Sequence, residues 1–154
     1  MKKIILIILA SVLLLPIVAE HCGSCPSGIN AATVNTGNNS QSIVLAPGKT
    51  TWIDNNHYVV YSWDKSPKIG NRILLVKVFN KNKQILNSLN VTANAYMPSM
   101  RGAHDTGHKA MKLNKKNQYA IPVNFMMLGK WEIELKFAKS GKSLGTALVR
   151  ATIK

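Results

Sequence analysis

At 154 residues the chain has room for one domain and not comfortably for two. Its 20 basic and 6 acidic side chains give a formal charge of +14. That field favours acidic surfaces, but the positives are scattered and no aromatics are interleaved with them, which argues against nucleic acid as the partner.

The first nineteen residues read as a secretory signal peptide. Lys2 and Lys3 make a positive start, an apolar run covers residues 4–15, and Ala19 supplies a small residue before the cleavage point. Pro16 and the shortness of the run argue against a retained membrane anchor, since a spanning helix needs about 20 apolar residues. Neither Cys22 nor Cys25 has the small residue at −1 and aliphatic residue at −3 that precede a lipidated cysteine. The expectation is an exported protein, periplasmic where the host has two membranes. Loss of Lys2 and Lys3 would leave 18 basic against 6 acidic groups, a charge of +12.

Residues 20–42 are rich in Asn, Ser, Gly and Thr and carry few bulky apolar groups, so they read as a flexible leader. Within it, His21, Cys22 and Cys25 form a Cys-x-x-Cys segment. In an exported chain the pair is read first as a disulfide, second as a copper-binding thiol pair with His21, and third as a redox couple.

The domain proper is expected over residues 43–154, built of short strands. Residues 49–54 and 57–63 are β-branched and aromatic, with Asp54-Asn55-Asn56 as the turn between them. Trp52 and Trp63 in these runs are expected in the core, and His57 at the surface. Residues 71–80 follow Pro67 and Gly70, and their apolar run from Ile73 to Val76 suits a buried strand with Lys77 outside. A helical turn is expected over 83–87. Residues 90–96 alternate Val91, Ala93 and Ala95 against Thr92, Asn94 and Tyr96. Residues 118–125, 130–137 and 144–153 complete the series. In 130–137, Trp131, Ile133, Leu135 and Phe137 alternate with Glu132, Glu134 and Lys136, one face dry and one wet. About seven such strands with turns between them predict an all-β chain, an immunoglobulin-like antiparallel β-sandwich, with a small closed barrel as the competing architecture.

Between two of these strands lies "YMPSMRGAHDTGHKAM", residues 96–111, with Met97, Met100, His104, His108 and Met111. The spacing would align all five on a helix, but Pro98, Gly102 and Gly107 make a loop of the stretch. Thioether sulfur and imidazole nitrogen together suit Cu(I), which accepts few ligands and prefers soft ones. Oxidised to Cu(II), the ion would keep His104 and His108, with Asp105 beside them. Zinc lacks a third good ligand here. His104-x-x-x-His108 has no Glu at 105, which argues against a metalloprotease, and no catalytic triad or phosphate loop is found, so no enzyme activity is expected.

The segments "AYMPSMRGAH" and "YAIPVNFMMLGKWEIELKF" resemble the YtkA-like and FixH-like exported domains. The likeness runs over about residues 43–153. Met97-Pro98-Ser99-Met100 and His104 match that group's Met-Pro-x-Met element with its nearby histidine. Phe125, Met127, Gly129 and Trp131 match its turn-and-strand element, with Leu128 where proline is frequent. The resemblance implies an immunoglobulin-like fold, an extracytoplasmic location and copper handling. FixH-like relatives are associated with assembly of copper-containing oxidases and keep a membrane anchor; the cleavable signal expected here departs from them. The expectation is therefore a copper-binding exported protein whose partner is a copper-requiring oxidase or an efflux component, its basic surface meeting an acidic protein or a membrane. The alternative is a metal-free interaction or accessory module of the cell envelope.

Overall fold

The computed structural model describes residues 42–154. The signal peptide, the leader up to residue 41 and its His21, Cys22 and Cys25 lie outside the described residues.

Ten strands form two five-stranded sheets. The first sheet holds β1 (Ile43–Leu45), β10 (Lys142–Ile153), β9 (Gly129–Lys139), β5 (Asn90–Tyr96) and β6 (Lys109–Ala110), in that spatial order. The second holds β2 (Thr51–Trp52), β3 (His57–Trp63), β4 (Gly70–Asn80), β8 (Tyr119–Phe125) and β7 (Lys112–Leu113). All pairings are antiparallel except β1 with β10. The two sheets face each other as a sandwich, and no barrel closes.

Period-two alternation builds the core. From the first sheet come Trp131, Ile133, Leu135 and Phe137 of β9, Val91, Ala93 and Ala95 of β5, and Ala147, Val149, Ala151 and Ile153 of β10. The second contributes Val59 and Tyr61 of β3, Leu74, Val76 and Val78 of β4, and Tyr119, Ile121, Val123 and Phe125 of β8. Burying each large side chain contributes roughly 1.5–3 kcal/mol, so the eleven- and twelve-residue strands β9 and β10 anchor the first sheet. Phe125 bridges Trp63 and Trp131, with ring centroids 5.6 and 5.4 Å away.

Strand β4 corrects one expectation. Its apolar run is not uniformly buried: Leu74 and Val76 point inward, while Ile73 is exposed. The helical turn expected over 83–87 is absent too. Lys83 adopts a positive φ of 62°, and the chain then doubles back along β4, with Ile85 bridging Phe79 and Leu86 N–H donating to Val78 O at 2.8 Å. Trp52 is not in the core either. It is 49% exposed and meets Tyr58 edge-on, and Tyr58 stacks on Phe79 in register across β2, β3 and β4.

Of the four edge strands, β1 has three residues and β2, β6 and β7 have two each, and β6 and β7 carry Lys109 and Lys112. Short, charged edge strands are one device by which a sheet discourages pairing with another chain.

Candidate metal centre

At the end of β5 the chain leaves the sheet at Met97. Pro98 opens a single 3-10 turn over Pro98–Met100, where a missing N–H costs nothing. Met100 N–H donates to Met97 O at 3.0 Å, and Ala103 N–H donates to Met100 O at 3.2 Å. Asp105 Oδ1 accepts from Gly102 N–H at 3.1 Å. The excursion closes where it began. Thr106 N–H donates to Ala95 O at 3.0 Å, and Ala95 N–H donates to Thr106 Oγ1 at 2.9 Å. Two successive tight turns thus carry Met97, Met100 and the residue just before His104.

The loop lies over the outer face of the first sheet. Arg101 sits 3.7 Å above the Tyr96 ring, a cation–π contact. Tyr96 Oη donates to Glu132 Oε2 at 3.1 Å, and Arg150 Nε donates to Glu132 Oε1 at 3.0 Å. Burial first, and then Glu132, push the Tyr96 phenol above its ordinary value. Asn94, the one buried polar residue among those described, accepts from Thr106 Oγ1 at 3.3 Å. The polar face of β5 read from the alternation is therefore real, but the loop covers it.

The five expected donors do not share one place. Met97 continues the inward-facing series of Val91, Ala93 and Ala95 and is 5% exposed. Its Cε packs so closely on Gly129 that a Cβ there would lie 2.9 Å away, and Gly129 holds φ +128°, which L side chains rarely adopt. Met100 is half-buried against the core and His104 is half-buried in the loop. His108 turns to the outer face, where its Nε2 lies 3.2 Å from Glu134 Oε2.

Met111 is the residue at which the edge crosses from one sheet to the other, between β6 and β7, and it is 7% exposed. Its N–H donates to Val91 O at 2.8 Å. Val91 and Met97 are six residues apart on one extended run, about 20 Å at ~3.3 Å per residue. A single ion cannot take both Met97 and Met111. Met111 plugs the open edge of the sandwich, so its methionine is explained by packing. Met97, Met100 and His104 remain within one short stretch of the loop, Met97 in the core and Met100 packed against it.

Sequence reasoning placed Met127 only in the family's turn element and did not single out Met126. They form the turn between β8 and β9 and are 54% and 38% exposed, just ahead of the Gly129 on which Met97 packs. Trp131 Nε1 donates to Met127 O at 3.1 Å, fixing that turn. The signal was present as "FMMLG", but some twenty-five residues separate it from Met100, and only the pairing of β5 with β9 joins them. Among the described residues no group of three or more His, Cys, Asp or Glu is placed to hold a metal ion.

A family model described as YtkA-like matches residues 52–136. Among solved structures, the chain is similar to the soluble domain of PmoD from Methylocystis sp. ATCC 49242 (Rockwell), at 12% identity and a TM-score of 0.46, over 68% of this chain and 96% of that one. No curated protein matches.

Proposed function

The chain belongs to the YtkA-like family, whose model spans more than half of it, and on that premise we propose that it is an exported copper-binding protein. The ion is Cu(I), held by the thioethers of Met97 and Met100 and the imidazole of His104. Three soft ligands suffice for cuprous copper, which needs no high coordination number. The observation that supports the reading is the pair of successive turns, Met100 N–H to Met97 O and Ala103 N–H to Met100 O, which shortens the backbone path from Met97 through Met100 to the residue before His104.

Met97 has no polar task at its buried position and Met100 is half-buried against the core, so both thioethers sit in apolar surroundings. Low polarity there favours a soft monovalent ion over a hydrated divalent one. His104 supplies the solvent-side donor. The protein would carry, buffer or deliver copper, handing it to a copper-requiring oxidase or an efflux partner. His21, Cys22 and Cys25 of the leader, as a disulfide or as a second copper-binding set, belong to the same proposal.

The test is a Cu(I) competition titration against a chromophoric chelator, with ascorbate present. Met100→Ala and His104→Ala are expected to weaken binding by about tenfold or more, as loss of one of three ligands would. Affinity unchanged in both variants would overturn the copper reading and leave the metal-free accessory module.

A further inference from the structure

The turn between β8 and β9 sets three bulky apolar side chains in a row on the outside of the molecule. Met126 is 54%, Met127 38% and Leu128 59% exposed. Phe125 pairs with Gly70 across the second sheet, which brings Ile69, itself 52% exposed, to the same tip. Scattered exposed apolar residues need no explanation; four gathered at one protruding end do.

Cations surround this tip. Lys65 and Lys68 lie on the loop that ends at Ile69, and Lys130 follows the turn directly; all three are exposed. Lys130 pairs with Thr152, so the exposed Lys154 ends at the same place. Glu132, two residues beyond Lys130, is held by Tyr96 and Arg150, and the loop acids Asp64 and Asp105 have backbone partners. Asp64 Oδ1 accepts from Ile73 N–H at 2.8 Å, and Asp105 Oδ1 accepts from Gly102 N–H at 3.1 Å. None of the four lysines is in an ion pair among the described residues.

We propose that this end of the sandwich docks on an anionic phospholipid surface, with Ile69, Met126, Met127 and Leu128 entering the interface and Lys65, Lys68, Lys130 and Lys154 meeting the headgroups. The shape selects lipid over a protein partner. The apolar groups project from a strand reversal instead of spreading over the roughly 800 Å² that a stable protein interface takes from each partner. A narrow apolar tip inside a ring of cations matches an interface that is apolar below and negatively charged above. The inference does not depend on copper, because neither Ile69 nor Leu128 nor any of these lysines is a proposed ligand.

The test is co-sedimentation of the exported protein with vesicles of phosphatidylcholine alone and with added phosphatidylglycerol. The anionic vesicles are expected to bind about tenfold or more tightly, an advantage that shrinks as salt is raised. Leu128→Asp and the double variant Lys65→Glu/Lys68→Glu are expected to lose about tenfold of that binding. Ile85→Asp, a control at the opposite end, keeps it. All changed positions are exposed, and circular dichroism checks that each variant is folded. Equal binding to both vesicle types, no binding to either, or an equal loss in Ile85→Asp would overturn the proposal.

Discussion

The two ends of the sandwich are built by opposite means. At the end that holds residues 54–56, 81–84 and 114–118, each tight turn is closed by a neighbouring polar side chain. Asp54 Oδ1 accepts from the N–H groups of Asn56 and His57, both at 2.7 Å. Asn80 Oδ1 accepts from Asn82 and Gln84, and Asn114 Oδ1 from Lys116 and Gln118, at 2.8–3.0 Å. One short polar side chain closes each turn by satisfying two backbone donors. At the other end the loops carry methionine, leucine and isoleucine, and their shape depends on distant partners: Gly129 under Met97, Ala95 against Thr106, Tyr96 under Arg101. The second end exposes Ile69, Met126, Met127 and Leu128 in adjoining turns, the soft and apolar groups on which the proposed docking rests.

The strongest way to break this contrast is to compare its two buried methionines. Met97→Ala and Met111→Ala should each destabilise the fold by about 2–5 kcal/mol through the cavity they leave, measured by denaturant unfolding. Only Met97→Ala should also weaken Cu(I) binding; an equal loss of affinity in Met111→Ala would mean that the ends are not distinct.

A smaller effect is expected from Tyr119→Phe. Leu89 N–H donates to Tyr119 Oη at 2.9 Å inside the polar end. Loss of the hydroxyl leaves a buried donor unpaired, worth about 1–3 kcal/mol, with copper and vesicle binding untouched. If either binding changed, the independence of the two ends would be lost.

The smallest effect should be Asp54→Ala, about 1 kcal/mol near neutral pH. Burial alone would raise the Asp54 carboxyl, but the His57 ring and the N–H groups of Asn56 and His57 outweigh it and hold it below its ordinary 3.8. A carboxylate with a depressed folded pKa stabilises the fold above the unfolded value and loses that contribution as pH falls through the folded one. The gap between wild type and Asp54→Ala should therefore be present at pH 5 and close as pH drops below about 4. Thermal unfolding at stepped pH reads it directly; a gap that persisted in acid would assign the turn to neutral hydrogen bonding.

Much of the fold was legible because strands announce themselves locally. β3 and β5 match residues 57–63 and 90–96 end for end, and β9 was legible from the alternation of Trp131 to Phe137. Ile73 and Trp52 were misplaced for one reason: an apolar side chain names a preference, and only the register of the neighbouring strand says which face it receives. The loop was legible as a loop, since Pro98 and the glycines exclude a helix. Its donors were not legible as a set. Met97 and Met111 look equivalent in the sequence, yet one ends a strand and the other marks a change of sheet.

What the sequence by itself determined was the chemistry available: sulfur and imidazole in one loop, an all-β pattern and a strongly positive surface. Which donors could meet was decided by the tertiary structure. Strand pairing places residues by hydrogen-bond register rather than by chain distance, so it parted Met111 from Met97 by about 20 Å along β5 and brought the Met126–Leu128 turn to the end where Met97 lies. Coordination and docking both depend on positions in space, and in a sandwich those positions are set by the strands across from a residue.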